Sequence, residues 1–102
     1  MSRLAEHVAA FNAAVRSGDW DTFAGRFAVD ASMRFTGIPV CPFEGRTAIA
    51  AAYRESPPAE TMTLLEDDGD SGRFRWSGGG TGSMDVRWAP DGAVQVLMVS
   101  FD

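Results

Sequence analysis

The nine residues AVQVLMVSF, Ala93 to Phe101, are apolar at nearly every position. Side chains alternate between the two faces of a strand, so Val94, Val96 and Met98 share one side while Leu97, Val99 and Phe101 share the other. A strand that is apolar on both sides needs cover on both. The rest of the chain has to supply it.

The whole chain has 102 residues. We read residues 1–102 as one domain with a single core, a size that buries roughly two thirds of the unfolded surface without a staple. Cover for the sheet comes first in the sequence. Leu4, Val8, Phe11 and Val15 recur at three- and four-residue steps, an amphipathic stripe that ends at Gly18. Asp19 caps a second helix that turns Trp20, Phe23 and Phe27 inward. Ser32 to Gly37 reads as a short strand, followed by the Pro-bearing loop IPVCPFEGR. A third helix opens near Arg46 or Thr47, buries Ile49, Ala52 and Tyr53, and must stop at Pro57 and Pro58. Four strands follow, about residues 60–67, 72–77, 82–89 and 93–101, joined by the turn-forming runs DDGDSG, GGGTG and APDG. Helices ahead of a meander imply an α+β domain with three helices packed on one face of a curved, mostly antiparallel sheet.

Composition narrows the partners. The net charge is −5 and the nine basic residues, all Arg, are scattered along the chain, so no nucleic-acid surface is expected. The only cysteine, Cys41, cannot pair within the chain, and no Cys/His cluster has ligand spacing. No disulfide, metal site or cofactor is expected. No apolar run approaches the ~18 residues of a membrane span, and the N-terminus shows no export signal, which together with the lone thiol suggests a cytoplasmic protein without a membrane partner. Abundant Ala, Gly and Arg without Lys suggests a bacterial gene of high GC content.

SMDVRW, Ser83 to Trp88, alternates strictly between polar and apolar residues. Three helices cover only one face of the sheet. The expectation is that Met84, Val86 and Trp88, with Val96 and Met98 and with Phe74 and Trp76 beside them, form the other, outer face and meet a second copy of the chain in a homodimer. Asp85 and Arg87 then point toward the helices. An Asp enclosed by Phe11, Phe27, Phe35 and Tyr53 loses hydration, which raises its pKa, while a neighbouring Arg87 favours the ionised form. A neutral acid in a dry pocket, a structural Asp–Arg pair and plain exposure all fit the alternation.

Other short signals carry less. The run SGGGTG is followed by a strand, not by the helix amino terminus that a phosphate cradle requires. DDGDSG has Gly79 where a calcium loop places its twelfth-position Glu. Cys41 reads as an ordinary loop thiol. His7, the only histidine, lies one turn before Phe11 and reads as an exposed first-turn residue, with the rim of an interior as the alternative.

The order of several motifs points to a family. Gly18-Asp19-Trp20-Asp21 joins two helices, Phe27-Ala28-Val29-Asp30-Ala31 leads into a strand, and Phe43-Glu44-Gly45-Arg46-Thr47-Ala48-Ile49 opens the third helix. Met84-Asp85-Val86 and Asp91-Gly92 then precede the final apolar strand. From about Leu4 to Asp102 this resembles the nuclear transport factor 2-like superfamily, and within it the SnoaL-like and ketosteroid-isomerase-like group. The resemblance implies a cone-shaped α+β domain that encloses a mostly apolar pocket and dimerises through the outer sheet face. It also implies where chemistry would lie. Matched to ketosteroid isomerase, the base falls at Phe35 and the oxyanion-hole tyrosine at Phe11, both chemically silent, and only the second acid has a counterpart, Asp85. Limonene epoxide hydrolase uses Arg-x-Asp on the corresponding strand, whereas here Arg87 follows Asp85.

These observations give an expected site. Phe11, Phe27, Phe35, Tyr53, Leu97 and Val99 line a pocket for a small hydrophobic organic molecule. Any reaction is cofactor-independent acid–base chemistry of the isomerase, cyclase or hydratase kind, centred on Asp85 and assisted by Arg87 or Tyr53. The competing reading is a non-catalytic ligand-binding or dimerisation module, or an interior filled by seven Phe and three Trp.

Overall fold

A computed structural model describes residues 2–38 and 42–102. Helix α1 (Arg3–Ser17) starts where the Ser2 side chain accepts the Ala5 amide and ends at Gly18, whose φ of 78° closes the helix in a left-handed turn. Asp19 caps α2 (Trp20–Ala24) by accepting the Thr22 amide at 3.1 Å. Helix α3 (Arg46–Glu55) stops just before the two prolines.

The strands are β1 (Phe27–Thr36), β2 (Phe43–Glu44), β3 (Met62–Asp67), β4 (Ser71–Trp76), β5 (Thr81–Trp88) and β6 (Val94–Phe101). They form one sheet of six strands in the order β2-β1-β6-β5-β4-β3, with β1 and β6 parallel and every other neighbour antiparallel. The last three strands match their expected bounds closely. Strand β1 is longer than expected, starting at Phe27 and passing through a register irregularity before Ser32. Phe27 therefore belongs to that strand and not to α2. Part of the expected loop is also strand, because Phe43 and Glu44 pair with Met33 and Ser32. Cys41 lies outside the described residues.

Helix α1 packs against β3 and α3 against β1, leaving the opposite face of the sheet open to solvent. Register fixes which side chains look inward. On β6, Leu97 and Val99 are buried, and their partners on β5 are Val86 and Met84. Phe74 on β4 is fully buried, and Trp76 lies on the same side. Across from Phe74, Gly82 takes no side chain: a Cβ there would sit 2.4 Å from the Ser100 carbonyl and 2.8 Å from the Phe74 ring.

This register reverses the orientation expected for SMDVRW. Met84 and Val86, only 2% and 3% exposed, belong to the core beneath the helices, while Asp85 and Arg87 face solvent on the outer side. Phe74 and Trp76 likewise turn inward. Trp88 is half-buried and held within its own chain, its indole N–H donating to Asp70 at 2.9 Å and the Arg3 guanidinium lying over its ring at 5.8 Å. Of the expected outer patch, Val96 and Met98 remain outside, where they pair with Arg87 and Asp85.

Desolvation explains the choice. Burying a carboxylate and a guanidinium costs several kcal/mol per ion, whereas leaving a Val or Met exposed forfeits about 1.5–3 kcal/mol each. A doubly apolar β6 is cheaper left half-covered than two ions are buried.

Candidate functional site

Between the helices and the inner face of the sheet lies a cavity of about 440 Å³. Its deep walls are His7 and Phe11 from α1, Tyr53 from α3, and Met84, Leu97 and Val99 from the sheet. Half-buried aromatics narrow the outer part. Trp76 and Phe101 lie parallel with centroids 6.1 Å apart, and Phe35 continues the row at 6.2 Å from Phe101. The cavity meets solvent beside the exposed Ala59 and Glu60, and Glu60 is tied there because its carboxylate accepts the Gly78 amide.

Of the expected pocket residues, Phe11, Phe35, Tyr53, Leu97 and Val99 line this cavity. Phe27 does not; it lies behind the wall, packed on Phe23 at 5.6 Å and on His7 at 6.0 Å. Asp85 and Arg87 are absent from it altogether. They border an open depression on the outer face with Asp70, Gln95 and Met98, and among the described residues no ion pair joins them.

The polar group that sequence reasoning misplaced is His7. It is 1% exposed, against the expectation of an exposed first-turn residue. The signal was available: position 7 follows Leu4 by three residues and precedes Phe11 by four, so it falls on the same stripe. Its ring packs 5.3 Å from Phe23, and Nδ1 is buried with no hydrogen-bond partner among the described residues. Loss of hydration, with the Arg26 charge adding to it, lowers the His7 pKa to about 4. The imidazole is neutral at pH 7, offering one donor and one acceptor.

Tyr53 meets the same Phe23 ring at 5.3 Å and stacks on Trp20 at 4.8 Å, which locks its orientation. Burial pushes its phenol well above the usual range, so it too stays neutral. A base with a pKa near 4 is weak at neutral pH and a raised phenol is a reluctant acid. Both remain competent hydrogen-bonding groups. The arrangement suits recognition better than proton transfer, and no group of three or more Cys, His, Asp or Glu capable of holding a metal occurs among the described residues. Among the described residues no helix is long and apolar enough to cross a membrane.

Helices over one face of a curved sheet, with an apolar cavity between them, can be compared with solved structures. The fold is similar to the cystatin-like one. A protein of unknown function with that fold, from Methylobium petroleophilum PM1, matches with a TM-score of 0.70 at 14% identity, covering 97% of this chain and 75% of that one. A computationally designed 17-OHP binder matches with a TM-score of 0.73 at 13% identity, over 100% of this chain and 92% of the other. No family model and no curated protein matches the sequence. Identities this low establish likeness of fold alone.

Proposed function

We propose that the protein binds a small, largely hydrophobic organic molecule in the cavity between its helices and its sheet. The observation that carries this reading is the cavity itself: about 440 Å³, walled by aliphatic and aromatic side chains, open at one end, in a chain with enough aromatics to have filled it. Similarity of fold to a computationally designed 17-OHP binder supports it. A SnoaL-like relationship fits the same reading. Acid–base catalysis through Asp85 and Arg87 does not, because both lie on the far side of the sheet from the cavity. Self-association through the outer face would rest on Val96, Met98 and the half-buried Trp88, set among charged neighbours.

Titration with N-phenyl-1-naphthylamine, a neutral probe whose emission rises in apolar surroundings, tests the reading. Saturable binding in the micromolar range is expected. Leu97→Trp, which places a larger ring in the cavity, should weaken it about tenfold, equivalent to about 1.4 kcal/mol. Asp85→Asn should change it less than twofold. Absence of saturable binding to folded wild-type protein, or tight binding undiminished in a folded Leu97→Trp variant, sinks the proposal.

A further inference from the structure

We infer that His7, with Tyr53 beside it, is the polar recognition point of the cavity, so that the ligand is a mostly apolar molecule carrying an uncharged hydroxyl or carbonyl at its inner end. This rests on the cavity being a binding site and names what it selects.

Three observations converge on it. His7 is the only histidine of the chain, lies on the apolar stripe of α1, and lines the cavity while 1% exposed. Its Nδ1 has no partner among the described residues, although buried side-chain nitrogens are otherwise nearly always hydrogen-bonded. An aliphatic residue would fill that place without an orphaned polar atom. Tyr53, the other polar side chain of the deep wall, packs on the same Phe23 ring as His7, which puts both residues in one neighbourhood of the lining.

Charge discriminates further. Glu60, the carboxylate among the cavity-lining residues, sits at the mouth and is engaged by the Gly78 amide, and Arg26 acts on His7 as a nearby cation. Neither places a compensating charge in the deep wall. An ionised ligand group brought there would be desolvated without a counter-ion, whereas a hydroxyl or carbonyl finds a neutral donor and acceptor.

Matched probes test this directly. Naphthalene and 2-naphthol share a ring system and differ by one hydroxyl. With the wild-type protein, 2-naphthol should bind about tenfold more tightly, the effect of completing a buried hydrogen bond. Because the chain has a single histidine, the imaging of that contact needs no assignment: the imidazole ¹⁵N resonances of histidine-labelled protein should shift with 2-naphthol and stay nearly still with naphthalene. In His7→Leu the preference for 2-naphthol should collapse, and His7→Asn, whose amide restores a polar group near the Nδ1 position, should recover part of it.

The outcomes separate the two layers of the argument. Equal binding of both probes with unmoved imidazole resonances overturns the role of His7 and leaves the cavity as a plain apolar site. Failure of both probes to bind removes the binding site and the inference with it. A hydroxyl preference that persists in His7→Leu assigns the recognition to another group and also refutes it.

Discussion

At position 7 the protein keeps a polar ring where a leucine would pack without an unmet hydrogen bond. A buried polar atom left without a partner costs about 1–3 kcal/mol, so His7→Leu should raise stability at pH 7 by about 1 kcal/mol or more, seen as a higher urea midpoint with an unchanged slope. A fall in stability would mean that the imidazole is held by contacts stronger than its ring packing on Phe23 and Phe27. The same substitution is expected to erase hydroxyl preference in the cavity. A residue that gains stability and loses selectivity when replaced is retained for recognition. Asp85 shows the opposite case. Its alternating context looked the same whether its side of the strand met water or a cavity, because a period of two separates the faces of a strand without saying which one is covered.

Among the elements, α1 supplies His7 and Phe11 to the cavity, and one of its side chains ties it to the edge of the sheet through two hydrogen bonds. Asn12 donates through Nδ2 to the Met62 carbonyl and accepts the Met62 amide at Oδ1, both at 2.8 Å. The side-chain amide thus stands in for a neighbouring strand along the free edge of β3, where Met62 itself lines the cavity. Removing it leaves two backbone groups of a buried residue unpaired. Asn12→Ala should therefore destabilise the fold by about 2 kcal/mol and speed hydrogen exchange at the Met62 amide more than at amides of β5, which has partners on both sides. Exchange at Met62 as slow as in the wild type would contradict this role. No periodicity announced the contact, since it joins residues 50 apart in sequence. The caps were different: Gly18 and Asp19 act through neighbours within a few residues, and both do what their types suggest.

Over the whole molecule, pH acts on several groups in one direction. The folded His7 binds its proton near pH 4 and the unfolded one near its ordinary 6.5, so between those values the unfolded chain takes up a proton that the folded chain does not. Stability should be full above about pH 6.5 and fall by about 3 kcal/mol by pH 4 from this residue alone. The carboxylates of Asp19, Asp67 and Asp102 add to the loss at lower pH. Each is held below its usual range chiefly by side-chain hydrogen bonds, from Thr22, Ser2 and Thr81, and that stabilisation disappears as they are protonated. Thermal melts between pH 7 and 4 should show the decline, with a shallower slope in His7→Leu. A wild-type slope equal to that of the variant would mean that His7 does not control this range.

Read by itself, the sequence determined the element order apart from β2, the α+β class, the caps at Gly18 and Asp19 and five of the residues that line the cavity. Those features follow from local chemistry and from the 3.6- and 2-residue periods, which neighbouring residues set without help from distant ones. Tertiary structure alone decided which face of β5 is buried, that β1 lies parallel to β6 and that the interior keeps open space. Each depends on the register of strands far apart in sequence and on the balance between desolvating Asp85 and Arg87 and exposing Val96 and Met98, a balance struck only once the helices have covered one side of the sheet.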